Sequence, residues 1–168
     1  MFILISLSKV QIDDTGIKTA LQQLSTKLAD MTPAMRRIAG YMQNAVDENF
    51  AQEGRPTKWI PSKRALRDSG HTLQDSGQLA ASISSSFSAD SAMVGTNKPY
   101  AAPNHFGAHI PAHDIAPVNK KALWWPGLAH PVKKARFPGA DIPARPFMCL
   151  TDSDIQDIEA ALQKWLTP

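Results

Sequence analysis

The sequence predicts an α+β fold in which a mainly antiparallel sheet packs against a long helix and a C-terminal helix. Two observations lead to this class. In residues 32–50, and again near the C-terminus, apolar residues recur every three or four positions, as on one face of a helix. In residues 79–95 they alternate on both sides of a polar turn, as in a β-hairpin.

The chain of 168 residues is expected to form a single domain over residues 1–168, with a loop at 51–70 and a Pro/Trp-rich arm at about 108–141. Its apolar fraction of 43% and charged fraction of 20% are ordinary for globular proteins, which argues against a disordered chain or a coiled coil. The thirteen prolines are unusual and concentrate in residues 99–146, where they indicate extended or irregular backbone.

In residues 2–12 the side chains that would point to either face of a strand are both largely apolar, which predicts a strand covered on both faces. The apolar run is short, a lysine follows it and no small-residue cleavage pattern is present, so we interpret it as a strand and not as a signal peptide. No segment has the roughly 18–20 apolar residues that a membrane span needs. Asp13, Asp14 and Thr15 then offer an N-cap for a first amphipathic helix. Its predicted apolar face is Ile17, Leu21, Leu24 and Leu28.

The longest predicted element is a second helix of about five turns over residues 32–50. Thr32 as N-cap and Pro33 at the first helical position mark its start. Proline suits this position because a backbone N–H there has no partner within the helix. The predicted apolar face is Met35, Ile38, Met42, Val46 and Phe50.

Residues 51–70 lose the helical period and place basic residues around Trp59, which indicates an irregular loop that is either functional or disordered. Trp59 has three interpretations: a pin that holds the loop to its own core, a contact with another subunit or partner, or a base-stacking residue beside phosphate-binding cations. The pin is favoured, because stacking surfaces use several aromatic residues. The basic candidates for an interface are Arg55, Lys58, Arg64 and Arg67.

The hairpin is expected to follow a short helix at residues 76–81 and to turn at residues 89–91. Beyond it, residues 100–106 are either a helix or an irregular turn, because Pro103 weakens the helical pattern. The local pattern does not choose between these two structures.

The segment after the hairpin is rich in proline, glycine and histidine and predicts a second hairpin with a turn at Pro126 and Gly127. Trp124 and Trp125 are adjacent, so they point to opposite faces of a strand and at least one is exposed unless another subunit covers it. We therefore interpret this arm as docking on a partner. The alternative is an insertion folded back on its own domain.

The C-terminal helix is predicted to begin at a capping box formed by Thr151 and Asp154, and a further strand is expected near residues 147–150. Arg145 stands between two prolines on a stiff backbone. It is expected to pair with a carboxylate, either of its own core, which is favoured, or of an adjacent subunit. The single cysteine, Cys149, is expected to be a buried apolar residue.

Patterns that would indicate catalysis or ligand binding are weak. His105, His109 and His113 are four positions apart, but Gly107 and Pro111 interrupt any helix that would align them as metal ligands. No Gly-x-Ser-x-Gly elbow and no phosphate-binding glycine loop is present. We therefore expect no catalytic, cofactor-binding or metal-binding residues, and no enzymatic activity.

The net charge of +3 is unevenly distributed along the chain. Residues 1–54 carry a net charge of −1, residues 55–136 carry +7 and residues 137–168 carry −3. Such asymmetry suits head-to-tail contacts between identical subunits, or a basic surface close to a polyanion. Solvated faces that happen to differ in charge are the plain alternative.

Four sequence blocks stand in a set order over roughly residues 54–150: GRPTKW, LQDSGQLAASI, VGTNKPYAAPNHFG and IPARPFMCL. In this order and spacing they resemble the bacteriophage virion morphogenesis family, the tail-completion or neck proteins of Mu-like phages. The sequence departs from the family at Asn104 and His105, where the family tends to have a glutamine before the Phe-Gly pair, and at Pro103, which replaces a helix-compatible residue.

The resemblance implies a structural virion protein of a tailed phage or prophage, which completes the tail or forms the neck ring at the head–tail junction. It implies self-association into a ring, with six copies as the usual symmetry, and contacts with tail-tube or tail-terminus proteins and head–tail connector proteins. DNA in the ring lumen is a further candidate partner, and no membrane is implied. The expected location is the virion, with the host cytoplasm during assembly. The rival hypotheses are a small basic DNA-binding or packaging accessory protein and a transient tail assembly factor.

Overall fold

The computed structural model describes residues 15–167 and confirms the α+β class, because this part of the chain combines helices with small antiparallel sheets. The helices are α1 (Thr15–Ala29), α2 (Thr32–Ala51), α3 (Lys63–Asp68), α4 (Ala101–Phe106) and α5 (Asp152–Leu166). The strands are β1 (Ser84–Phe87), β2 (Ala92–Gly95), β3 (Ala108–Ile110), β4 (His113–Ile115), β5 (Ala135–Phe137) and β6 (Ala140–Ile142). They pair as β1 with β2, β3 with β6 and β4 with β5.

The core lies against α2, which packs on the β1–β2 hairpin and on α5. Its apolar face forms as predicted, with Val46 and Phe50 buried. The Phe50 ring meets the rings of Trp59 and Phe147, with centroids 5.7 and 5.2 Å away. The core cluster draws on distant parts of the chain: Val46, Phe50, Trp59, Leu79, Ile83, Ala101 and Phe147.

The predicted first hairpin is confirmed, with Ser85 facing Val94 in antiparallel register. The helix expected before it, over residues 76–81, is shorter and is a single 3₁₀ turn at Ala80–Ser82. Gly77 has a φ of +71°, a left-handed conformation that does not continue a right-handed helix, so the helical turn forms after it.

The start of α2 differs in detail from the prediction. Met31 precedes the helix and makes no side-chain cap, so Thr32 lies inside the first turn and is not the N-cap. Pro33 keeps its predicted place at the start of the helix. The strand predicted over residues 2–12 and the cap at residues 13–14 lie outside the described residues.

The predicted loop over residues 51–70 contains one element that the sequence pattern does not indicate, the short helix α3. Ser62 caps this helix by accepting a hydrogen bond from the N–H of Ala65 at 3.1 Å. Six residues are too few to show a helical period, which explains why the pattern misses α3.

The strand expected near residues 147–150 is absent, and this segment is irregular. The Asn49 side-chain amide donates to the carbonyls of Phe147 and Cys149 at 2.9 and 2.8 Å. Those carbonyls are the groups that a neighbouring strand would need. Between residues 15 and 167 the antiparallel pairing is therefore divided among separate two-stranded ladders.

Residues 100–106 contain the helix α4 and not an irregular turn. Pro103 is tolerated because it lies in the first turn, where the backbone N–H has no partner within the helix. Gly107 ends α4 with a φ of +79°, and a Cβ at this position would lie 2.9 Å from the carbonyl oxygen of Ile142. Glycine thus lets β3 begin directly against β6.

The arm, residues 108–142, is built from the antiparallel pairs β3–β6 and β4–β5. Toward its end the chain reverses in a turn closed by the Leu128 N–H, which donates to the carbonyl of Trp125 at 3.1 Å. The predicted Pro-Gly pair lies between Trp125 and Leu128. Gly127 has a φ of +102°, and a type II turn requires a positive φ at this position. The predicted turn is therefore confirmed, but the second hairpin is reduced to one antiparallel bridge between Leu123 and Val132, because β5 pairs with β4.

Helix α1 is amphipathic as predicted, but its apolar side chains, Ile17 and Leu21 among them, are exposed in the single chain. Lys27 links α1 to α5, because its Nζ donates to the carbonyls of Trp165 and Thr167 at 2.7 and 2.8 Å. These carbonyls lie at the C-terminal end of α5, where a cation is favourable. No helix in residues 15–167 has both the length and the apolar character needed to cross a bilayer.

Candidate assembly site

Three blocks that are far apart in the sequence, GRPTKW, NHFG and PARPFM, meet beside α2. Trp59 Nε1 donates to the carbonyl of Pro146 at 3.1 Å. Arg145 Nε donates to the carbonyl of Ile60 at 2.9 Å, and the Arg145 backbone N–H donates to the carbonyl of Asn104 at 2.9 Å. We call this meeting point the block junction.

Trp59 is buried at the block junction and holds the loop against the core. Gly54 makes the tight turn before it possible: its φ is +110°, and a Cβ would lie 2.5 Å from the carbonyl oxygen of Thr57. Trp59 thus occupies the position of the pin that the sequence favours. A further role for it in contacting a partner stays a prediction.

Arg55 is the most heavily bonded side chain of the junction. Its Nε donates to Asn49 Oδ1 at 2.9 Å, one terminal nitrogen pairs with Glu48 at 2.7 Å, and the other donates to the carbonyl of Ala45 at 3.0 Å and to Asp154 at 3.0 Å. Its side chain is only 13% exposed. Arg55 was predicted as an interface candidate; within the chain its guanidinium joins α2 to α5, and a role in contacting a partner stays a prediction.

Asn49 completes this network and was missed by the sequence analysis. Its exposed fraction is 0%. Its amide donates to the two carbonyls of residues 147–150 while its oxygen accepts from Arg55. The available signal was its place next to Phe50 on the buried side of α2, where a polar residue needs partners.

Asp154 ties the network to the start of α5. Thr151 and Asp154 form the predicted capping box, with both reciprocal hydrogen bonds present. Burial alone would raise the pKa of Asp154, but hydrogen bonds from Thr151 and the positive charge of Arg55 outweigh burial and lower the pKa below its usual value. The carboxylate therefore stays ionised opposite Arg55.

Arg145 is the second arginine of the junction, and its residue is only 6% exposed. The favoured expectation, a carboxylate of its own core, is not met within residues 15–167, where its side chain donates instead to a backbone carbonyl. Burial lowers the pKa of the guanidinium, because the charged form loses solvation. Arg145 also lines a pocket together with Arg64, Tyr100 and Asn104.

His105 packs edge-on against the ring of Phe147, with centroids 5.0 Å apart. Its Nδ1 lies 3.3 and 3.4 Å from the backbone nitrogens of Phe147 and Met148, so it acts as an acceptor. Burial lowers the pKa of His105, which favours the neutral ring that can accept these bonds.

The other basic candidates of the loop lie around the junction and have partners of their own. Lys58 Nζ donates to a backbone carbonyl just after α2. Arg64 pairs with Asp75 at 3.5 Å, and Arg67 pairs with its neighbour Asp68 at 2.6 Å. The positive charge of the loop is thus partly neutralised within the chain.

The arm carries the largest exposed aromatic side chains. Trp124 is 62% exposed and Trp125 is 43% exposed. Both side chains lie just before the turn and are exposed to solvent, whereas the insertion alternative would bury them against the core. Their role as contact residues stays a prediction.

The three spaced histidines do not converge. His105 is at the junction, His109 Nδ1 lies 2.6 Å from the carboxylate of Asp141 across the β3–β6 ladder, and His113 bonds to the carbonyl of Pro111. Among the residues described, no three His, Cys, Asp or Glu side chains are grouped to hold a metal ion.

The sequence profile of the phage virion morphogenesis family matches residues 12–167. The chain is also 37% identical over 149 residues to the Mu-like prophage FluMu G protein 2 of Haemophilus influenzae, covering 89% of this chain and 88% of that protein. No solved structure matches it significantly.

Proposed function

The chain belongs to the phage virion morphogenesis family, and on this premise we propose that it completes the tail or forms the neck ring at the head–tail junction of a tailed phage or prophage. A role in building the phage particle follows from the family. The position within the particle, the ring and its six copies are the proposal. Its partners would be further copies of itself, tail-tube or tail-terminus proteins and head–tail connector proteins.

The observation that carries the proposal is the aromatic end of the arm. A tryptophan can bury about 150–250 Å², so covering the exposed parts of Trp124 and Trp125 removes on the order of 200 Å² from water. At about 25 cal/mol per Å², this is worth roughly 5 kcal/mol before the entropic cost of association. Exposing this apolar surface gives a monomer no stability, whereas burying it in a contact between subunits is favourable.

The action proposed is association and not catalysis. An arm that projects from one subunit and docks on a different surface of the next makes a heterologous contact, and heterologous contacts form a ring when the rotation closes. The basic loop and the acidic C-terminal segment have opposite net charge, which favours this head-to-tail arrangement. The protein would be found in the virion, and in the host cytoplasm while particles are built.

The proposal is tested by quantitative mass spectrometry of purified particles, with this chain counted against the tail-tube protein. A number close to one ring per particle is expected. Its absence from finished particles would instead favour a transient assembly factor.

A paired variant tests the arm. Replacing Trp124 and Trp125 by alanine should leave the circular dichroism spectrum unchanged and remove the chain from particles. Replacing both by phenylalanine retains apolar area and should preserve at least part of the incorporation. Full incorporation of the double alanine variant would rule out the arm as a main contact.

The DNA-binding hypothesis makes a separate prediction. It requires affinity for DNA that falls steeply with salt, since each phosphate contact releases counterions. A ring lumen would bind DNA weakly and without sequence preference, so a tight, sequence-selective complex would favour the accessory-protein function.

A further inference from the structure

A pocket of about 360 Å³ lies where α3, the chain before the first hairpin and α4 come together. Arg145 lies in its wall, next to Arg64 and Asn104. The hydroxyl of Tyr100, another lining residue, makes no hydrogen bond within residues 15–167. The pocket is thus lined by two arginines and by a tyrosine whose hydroxyl is an unused donor among the described residues.

The Arg145 guanidinium is only partly satisfied. Its Nε donates to the carbonyl of Ile60, but in the described part of the chain its two terminal nitrogens donate to no acceptor. Within residues 15–167 every fully buried side-chain nitrogen or oxygen has a hydrogen-bond partner. The two terminal nitrogens have none there, so each of them must reach solvent. A charge that is 94% buried and lacks a counterion is costly, so this fork has the features of a binding group.

We propose that this pocket binds a carboxylate side chain of a neighbouring copy of this chain, with the two terminal nitrogens of Arg145 as the bidentate donor. The planar fork of arginine matches the two oxygens of a carboxylate. Arg64 adds positive charge at the same pocket. This inference rests on the ring proposed above.

Charge argues for a protein carboxylate and against a polyanion. Asp75 also lines the pocket and pairs with Arg64 at 3.5 Å, which shows that carboxylate and guanidinium fit together here. Two arginines against one aspartate leave the pocket with one net positive charge, which a single further carboxylate balances, whereas a phosphate backbone would bring several negative charges next to Asp75.

A second copy offers suitable carboxylates on α5. The C-terminal segment carries a net charge of −3. Three acids of α5 are exposed and make no ion pair within residues 15–167: Asp152, Asp157 and Glu159. A contact from this helix to the pocket of the next subunit would be head-to-tail, as a ring requires.

The test uses two full-length variants. Arg145→Gln retains a nitrogen at the position of Nε, and so the bond to Ile60, but removes the fork. The second variant neutralises the three exposed acids of α5 by Asn and Gln substitution. Arg37→Gln is the matched control, because Arg37 is exposed on α2, is not one of the interface candidates and does not line the pocket.

Sedimentation of each variant measures self-association. Wild type and Arg37→Gln should associate equally, and each of the two variants alone should associate at least tenfold more weakly. A 1:1 mixture of the two should form heterodimers that grow no further, because only one of the two possible interfaces keeps both its arginine and its acids. Unchanged rings from Arg145→Gln would overturn the pocket assignment and leave the ring proposal standing.

A second measurement does not depend on assembly. Sodium acetate at about 0.2 M, compared with sodium chloride at equal ionic strength, should raise the melting temperature of the wild type by about 2 °C and leave Arg145→Gln unchanged. Equal behaviour of both chains would refute a carboxylate site even if rings form. If acetate stabilises the wild type but the mixture forms no heterodimers, the occupant is not a second copy of this chain. If Arg145→Gln loses DNA affinity and Arg37→Gln does not, the pocket binds phosphate and not a carboxylate.

Discussion

Replacing Arg55 by methionine should lower the free energy of unfolding by about 3 kcal/mol. Methionine keeps most of the apolar stem but removes every hydrogen bond that Arg55 makes to α2 and α5. Of the abandoned acceptors, Asn49 is buried at 0% exposed, and the side chain of Asp154 is half-buried at 14% exposed.

The magnitude follows from this burial. Removing one partner of a buried, hydrogen-bonded ion pair costs roughly 3–5 kcal/mol, because the other charge stays buried without compensation. The lower end applies here, since neither side chain of the pair is completely shielded from solvent. Arg67→Met is the matched control, because the Arg67 side chain is 76% exposed and pairs only with its neighbour. It should leave the urea midpoint unchanged within error.

Urea unfolding followed by tryptophan fluorescence and far-ultraviolet circular dichroism measures both variants. A double-mutant cycle of Arg55→Met with Asp154→Asn should give a coupling energy of about 1–3 kcal/mol, because the asparagine oxygen can still cap α5 while the ion pair is lost. An Arg55→Met variant within about 1 kcal/mol of wild type would show that the network contributes less than its geometry indicates.

Three further perturbations test the junction. Because burial lowers the pKa of His105, stability should be complete above the ordinary value of 6.5 and decrease as the pH falls below it; melting temperatures of His105→Gln should lack this slope, and parallel curves would contradict the assignment. Burial raises the pKa of the Cys149 thiol, so iodoacetamide should alkylate it at least about tenfold more slowly in the folded chain than in urea, and equal rates would place the thiol at the surface. Trp59→Phe keeps a ring but loses the bond to Pro146, so unfolding in urea should be easier by about 1–3 kcal/mol, whereas an unchanged midpoint would show that the pin needs only the ring.

The long helices and the first hairpin were predictable from the chain alone, whereas the three-residue strands β3 to β6 were not. The apolar spacing of α1, α2 and α5, the capping box at Thr151 and both hairpin turns depend on interactions within a few residues. The residues that make these interactions are close together in the sequence, so a single sequence suffices to identify them. The short α3 and the exact start of α2 escaped because a few residues carry too weak a pattern.

The roles of the arginines were not predictable in this way. Arg55 and Arg145 both stand beside proline in basic or irregular segments, and both were assigned to interfaces or to a carboxylate. Within the described chain Arg55 makes its bonds to residues 45–49 and to Asp154, and Arg145 donates to the carbonyl of Ile60 and lines a pocket. Which partner a long charged side chain finds depends on segments brought close only by folding.

The sequence by itself determined the α+β class, the helical faces, the exposed aromatic pair at the arm and, through four ordered blocks, the family. Tertiary structure alone decided that three of those blocks meet at one junction, that Asn49 takes the carbonyls a strand would have used, and that Arg145 has no carboxylate of its own among the described residues. The physical reason is range. Periodicity, caps and turns are local, whereas burial and the pairing of charges depend on contacts between residues about a hundred positions apart.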